Sequence, residues 1–211
     1  MGRLKIKHLY DDRKPKCGSI MLGDRTVSSP GADRVIVFQD YTLFPWLTVR
    51  KNVIFGIEHS QKSKKKDAAS LADGYLSKVG MLKYKDMYPY QLSGGMKQRT
   101  AIARALAMDS RILLLDEPFG ALDEKNRRIL QEFIVKLWEG GGEDRKTVIF
   151  VTHDIKEAVK LGQRIIYIEN GSIRNEISVD MSYPREDEKG MKKYISVLSS
   201  WFGEDSKEGY E

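Results

Sequence analysis

The chain has 211 residues, 41% of them apolar and 31% charged, with 36 Lys and Arg against 30 Asp and Glu for a net charge of +6. That length suits one domain, or one domain with a small insert, and no apolar run nears the ~18 residues of a membrane helix. Cys17 stands alone, which excludes an internal disulfide and fits a reducing compartment, and the basic, polar residues 1–16 lack the apolar stretch of a secretory signal.

The first strand pattern in chain order is the apolar run 35–38. Thr48 then suits the cap of a short helix through Val53. Lys62, Lys64, Lys65 and Lys66 follow with no aromatic residues between them, so they read as a solvated stretch and no nucleic-acid partner is expected. Asp67 suits the cap of a second helix, with Leu71, Tyr75, Leu76 and Val79 on one side. Ser93-Gly94-Gly95 opens a helix to about Ala107, and the apolar run 112–115 reads as a buried strand. Asp123 suits the cap of the next helix, where Leu130, Phe133, Ile134, Leu137 and Trp138 recur at helical spacing until the glycines 140–142.

A third strand follows at 148–151. All three strand runs are continuous rather than alternating, as when helices cover both sheet faces. Asp154 with Glu157 resembles a capping box, and Gly162 suits the stop of that helix. After 165–168, Asn170-Gly171 is a two-residue hairpin signal. Residues 180–189 are polar, and Met191, Tyr194, Ile195, Leu198, Trp201 and Phe202 form an apolar stripe suited to docking on the core. Residues 203–211 are expected to fray. The strand–helix alternation implies an α/β fold, a parallel sheet with helices on both faces, interrupted by a mostly helical insert.

Two segments carry chemistry. The strand 112–115 delivers Asp116 and Glu117 at its C-terminal end, where open α/β sheets place ligands. The first acid suits a Mg²⁺ contact and the second suits orienting or deprotonating a water. A helix cap would use the same residue types. Ser93-Gly94-Gly95 puts free N–H groups and a positive dipole end at a helix start, which attracts phosphate. An ordinary serine cap reads the same way.

Leu92–Arg99, the Ala-Ile-Ala-Arg-Ala-Leu run 101–106, the 113–118 strand and acids, Gly120-Ala121-Leu122-Asp123 and Val151-Thr152-His153-Asp154 together resemble the ATP-binding-cassette (ABC) ATPases in order and spacing. Val37-Phe38-Gln39-Asp40 resembles that family's Q-loop, and the segments 30–34 and 41–46 resemble its nitrate, sulfonate and taurine importer branch. The resemblance implies ATP and Mg²⁺ as cofactors. It implies that Gln39 and Asp116 act on Mg²⁺, that Glu117 is the general base and that His153 meets the γ-phosphate. It further implies that Ser93, Gly94 and Gly95 bind the γ-phosphate of ATP held by a second ATP-binding subunit in a head-to-tail dimer, with Asp123 at the interface. The segment 41–46 and the helical insert would face a permease transmembrane subunit, fed by a solute-binding protein. The implied location is cytoplasmic, peripheral on the inner face of the membrane.

One part of that pattern is missing. The 211 residues contain no Gly-x-x-x-x-Gly-Lys-[Ser/Thr], and only 38 residues precede Gln39. Residues 18–22 resemble the strand that follows the family's phosphate-loop helix. The expected organisation is therefore an unassigned segment 1–16, an ABC ATPase domain 17–178 without its N-terminal strands and phosphate loop, with a helical subdomain at about 48–107, and a tail 179–211 with an amphipathic helix 190–202. A shortened or frame-shifted product, a degenerate subunit, or an unusual phosphate site in residues 1–13 would each explain the gap. The chain alone is expected not to hydrolyse ATP. A non-catalytic subunit that lends Leu92-Ser93-Gly94-Gly95 to an intact partner, and a chromosome- or repair-type ABC ATPase, are the other readings. The absence of sustained heptads disfavours the latter.

Overall fold

The computed structural model describes residues 18–29, 31–38, 42–60, 67–139 and 146–202, in two compact units divided between Val151 and Thr152. Gln39 lies outside the described residues, as do Asp40 and Tyr41, residues 1–17, the lysines 62–66, the glycines 140–142 and residues 203–211.

The first unit begins with a small antiparallel hairpin, β1 (Met21–Leu22) and β2 (Arg25–Thr26). The second strand of this hairpin was not expected. Gly23, at φ 57°, provides the left-handed backbone of its turn. β3 (Arg34–Val37), β4 (Ile112–Asp116) and β5 (Thr147–Val151) form a parallel sheet in the order β3-β4-β5. In register, Ile36 pairs with Leu114 and Leu114 with Ile149. β4 is the buried strand, with Leu113, Leu114 and Leu115 each 1% exposed. β5 departs from the expectation of full coverage. Its continuous apolar run leaves Ile149 40% exposed, and β5 has a strand partner on one side only among the described residues.

Between β3 and β4 lie α1 (Val49–Glu58), α2 (Ala68–Lys78), two short 3-10 turns at Leu82–Tyr84 and Pro89–Gln91, and α3 (Gly94–Ala107). Thr48 caps α1 through a hydrogen bond from Lys51 N, and α1 runs past Val53 to Glu58. Two further N–H groups at its start donate to backbone carbonyls, Val49 to Met87 O and Arg50 to Lys85 O, both at 2.8 Å. Asp67 caps α2, whose buried residues are Ala72 and Leu76. Leu71, expected on that buried side, is exposed, since it stands one position off the stripe that runs through Ala72, Leu76 and Val79. Arg50 of α1 grips Asp73 of α2 in a two-pronged ion pair, Nε to Oδ1 at 2.7 Å and Nη2 to Oδ2 at 2.5 Å. Where α1 crosses α3, a Cβ on Gly56 would lie 2.4 Å from Arg104 O, so only glycine permits the approach.

α4 (Glu124–Glu139) follows β4 and buries Leu130 and Ile134. Asp123 caps it, its Oδ1 accepting from Asn126 N at 2.9 Å.

The second unit holds α5 (Ile155–Leu161), the antiparallel pair β6 (Arg164–Glu169) and β7 (Ser172–Ser178), and α6 (Glu188–Trp201). Asp154 caps α5 by accepting from Lys156 N and Glu157 N. The expected box is only half made. Glu157 Oε2 accepts from the Thr152 hydroxyl at 2.8 Å, and that hydroxyl, not the glutamate, takes the Asp154 N–H at 3.0 Å. Gly162 ends α5 with φ at −80°. Glycine is needed there for room, since a Cβ would sit 2.8 Å from Ala158 O. Asn170 and Gly171, at φ 50° and 78°, form the two-residue turn of the β6–β7 hairpin. α6 begins two residues earlier than expected, capped by Asp187, and its aromatic end docks on the hairpin. The Tyr167 ring lies 4.8 Å from that of Phe202 and 6.2 Å from that of Trp201.

Arg185 is the buried anchor of this unit, 3% exposed. Its guanidinium donates to four main-chain carbonyls: Met181 O at 3.1 Å, Val159 O at 2.7 Å, Gly162 O at 2.6 Å and Val179 O at 3.3 Å. Its face lies 4.4 Å from the Tyr183 ring centroid.

Candidate functional site

The candidate residues between positions 93 and 123 all lie in the first unit and are gathered by two elements, the start of α3 and the turn after β4. Ser93 stands in extended backbone as the N-cap of α3, and its Oγ accepts from Met96 N at 3.3 Å. The N–H groups of Gly94 and Gly95 fall in the first turn, outside the helix's own hydrogen-bond ladder. With Ser93 and Gly94 exposed, this helix start presents donors and a positive dipole end to an anion. Gly95 is half-buried, and a Cβ there would come 3.0 Å from Ala121 O and 3.2 Å from Leu122 Cδ2. The 120–122 turn thus packs closely on the helix start, and a side chain at this position would push Ala121 and Leu122 aside by a few tenths of an ångström.

β4 places Asp116 and Glu117 at its C-terminal end, both half-buried. Glu117 is in the left-handed region at φ 49°, a conformation that costs a side-chain-bearing residue on the order of 1–2 kcal/mol. Its main chain is held from three directions. Its N–H donates to Val151 O at 3.0 Å, and its carbonyl accepts from Gln98 Nε2 at 3.2 Å and from Gly120 N at 3.4 Å. Phe119 in the same turn is buried, 1% exposed. The turn then leads to Asp123, whose exposed carboxylate accepts from both the main-chain N–H and the side-chain amide of Asn126. Those two bonds hold its pKa below the usual carboxylate range, with Arg99 adding to the effect.

His153 falls in the second unit, exposed, immediately ahead of the Asp154 cap of α5. Gln39 is outside the described residues. Among the described residues no group of three or more His, Cys, Asp or Glu could hold a metal ion. Asp116 is one hard oxygen donor at the strand end, which suits a single contact, direct or through water, to a Mg²⁺ carried mainly by phosphate oxygens.

Sequence reasoning passed over Gln98, which is 1% exposed. The signal was present in the chain. Gln98 sits on the stripe of Ala101, Ile102, Ala105 and Leu106 that α3 buries, where an amide is out of place unless it has a partner. Asn52 breaks the stripe of Val49, Val53, Gly56 and Ile57 on α1 in the same way. It is 0% exposed, and it holds the 44–47 loop that carries the exposed Trp46.

Comparison with known proteins places the chain in a family. The ABC transporter family model matches residues 5–120. An uncharacterized ABC transporter ATP-binding protein of Methanocaldococcus jannaschii is 46% identical over 174 residues, covering 82% of this chain and 64% of that protein. The nitrate import ATP-binding protein NrtD of Synechocystis sp. is 41% identical over 190 residues, 89% of this chain and 70% of that one. The bicarbonate transport ATP-binding protein CmpD of the same organism is 42% identical over 183 residues, 84% and 64% of the two chains. The chain thus spans 64–70% of the length of these relatives. Among solved structures, a dimeric ATP-binding cassette in a post-hydrolysis state with ADP and Pi superposes with a TM-score of 0.70 at 32% identity, covering 81% of this chain and 77% of that one. The parallel α/β sheet with its helices is that of an ATP-binding cassette, and the chain belongs to the ABC transporter ATP-binding family.

Proposed function

We propose that this chain is an ATP-binding subunit of an importer for a small anion such as nitrate, sulfonate or taurine, and that it works in a head-to-tail pair with a second ATP-binding subunit. The observation that carries the reading is the start of α3. Ser93, Gly94 and Gly95 offer unladdered N–H groups at an exposed helix end, braced against the turn that bears Glu117 and Asp123. A site of this form holds a phosphate delivered by a neighbour. The nitrate and bicarbonate assignments of NrtD and CmpD support the class of cargo.

The remaining roles follow the family pattern. Asp116 and Gln39 would hold the Mg²⁺ that accompanies ATP, an ion that neutralises charge on the phosphates. In a subunit that holds its own ATP, Glu117 would take a proton from the attacking water and His153 would contact the γ-phosphate, roles that stand idle where the phosphate loop is missing, and Asp123 would lie at the subunit interface. The segment 41–46 and the helical insert meet a permease, which receives its cargo from a solute-binding protein. Among the described residues no helix is long and apolar enough to cross a membrane, so the subunit attaches to the inner membrane face through that permease.

Because the 211 residues carry no phosphate-loop motif, the chain's contribution is to the partner's nucleotide. The purified chain alone binds and hydrolyses negligible ATP, and micromolar ATP binding would overturn this. Mixed with an intact homologous subunit, it raises that subunit's ATP turnover, and a bulky Ser93→Arg abolishes the gain. No gain from the unaltered chain, or a gain indifferent to Ser93→Arg, would refute the subunit role.

A further inference from the structure

Gln98 belongs to the signature segment but faces away from its phosphate-binding end. It lies one turn into α3, buried at 1% exposure among Ala101, Ile102 and Ala105. Its Nε2 donates to Glu117 O at 3.2 Å, while its Oε1 is buried with no partner. An apolar side chain of the same length would fill this space without an orphaned acceptor. What the amide alone supplies is the bond to Glu117. That bond reaches the one residue of the turn whose backbone is left-handed, at φ 49°, a conformation that persists only where its surroundings hold it.

We propose that Gln98 is a positioning residue that locks the start of α3 to the Glu117 turn, so that the phosphate-binding end and the strand-end carboxylates keep one fixed geometry. Gly95 forms the second point of the lock, since the 120–122 turn packs so closely on it that a Cβ would stand 3.0 Å from Ala121 O and 3.2 Å from Leu122 Cδ2. With contacts at Gly95 and Gln98, the first turn of α3 cannot rotate without dragging residues 117–122. A phosphate at Ser93–Gly95 is thereby mechanically joined to Asp123 and to Glu117. The amide acts through main chain only and touches no reacting atom. The inference rests on the proposed roles of Ser93 and Glu117.

Two variants test it, Gln98→Met, which keeps length and removes the donor, and Gln98→Asn, which keeps the amide one methylene short. In the isotope-labelled chain the carbonyl ¹³C resonance of Glu117 shifts upfield in whichever variant folds, and amide exchange at Gly120 quickens. An unmoved Glu117 carbonyl overturns the proposal. In mixtures with an intact homologous subunit, kcat falls about tenfold while KM stays within about twofold, the pattern of a displaced group rather than lost binding. A shifted carbonyl with unchanged kcat also overturns it, because the bond would then hold structure without positioning anything. If the unaltered chain fails to raise turnover at all, the subunit reading fails, while the carbonyl shift still decides whether the lock exists.

Discussion

Truncating Asn52 to alanine removes an amide that holds the 44–47 loop at both ends. Its Oδ1 accepts from Phe44 N at 2.9 Å, and its Nδ2 donates to Phe44 O at 3.2 Å, Leu47 O at 3.1 Å and Thr48 O at 3.0 Å. Two amide protons shared among three carbonyls, with one accepted bond, amount to about three hydrogen bonds, each contributing about 1 kcal/mol net. The site is fully buried, so water does not replace them, and the expected loss is about 3 kcal/mol. With a urea slope of about 2 kcal/mol/M, the unfolding midpoint falls by about 1.5 M. Amide exchange at Phe44 quickens with it. Asn52→Asp sharpens the test. The carboxylate keeps the bond from Phe44 N–H but turns negative oxygen toward three carbonyls, so its folded-state pKa is raised. Its destabilisation is greatest at neutral pH and is relieved as pH falls through that raised value. An Asn52→Ala loss under about 0.5 kcal/mol, or an Asn52→Asp protein as stable as the parent at pH 7, would refute the reasoning.

Arg185→Ala strands four carbonyls inside the second unit and is expected to cost about 3–5 kcal/mol by urea unfolding. Arg185→Lys recovers little, since one ammonium cannot span four acceptors arranged around a planar fork; full recovery would show that charge alone suffices. The Arg50 guanidinium beside Asp73 holds that carboxyl below its usual range, with Lys85 adding to the effect. A depressed carboxyl pKa stabilises the fold above the ordinary carboxylate range, and this is lost as pH falls through the folded value. Asp73→Asn should therefore lower the urea midpoint at pH 7 and lower it by less at pH 3, below the ordinary carboxylate range. Equal losses at both pH values would locate the effect in packing rather than charge.

Much of this architecture was legible because it is written in short-range chemistry. Thr48, Asp67, Ser93, Asp123 and Asp154 all cap the helices they precede, since a cap depends on residues two or three positions away. Asn170-Gly171 encodes its hairpin in two residues. The strand-end acids were visible as a buried run stopping at Asp116. What escaped was set by tertiary partners. β2 of the first hairpin is only two residues long, too short for any period to register. The binding partners of Gln98, Asn52 and Arg185 are main-chain groups, which nearly every residue carries and which therefore leave no mark in a sequence. The capping box at Asp154 misled because threonine at position 152 competes for both of its polar groups.

Arg185 has one more implication, for how the second unit is assembled during synthesis. The carbonyls it gathers belong to Val159, Gly162, Val179 and Met181, all of which leave the ribosome first. Until residue 185 emerges, the end of α5 and the end of β7 have no common cation, and their acceptors stay turned to water. The hairpin's local turn can close early, but the unit cannot finish dehydrating. A nascent chain stalled short of Arg185 would expose this half-built unit to proteases, so resistance in this part of the molecule waits on a late-arriving side chain.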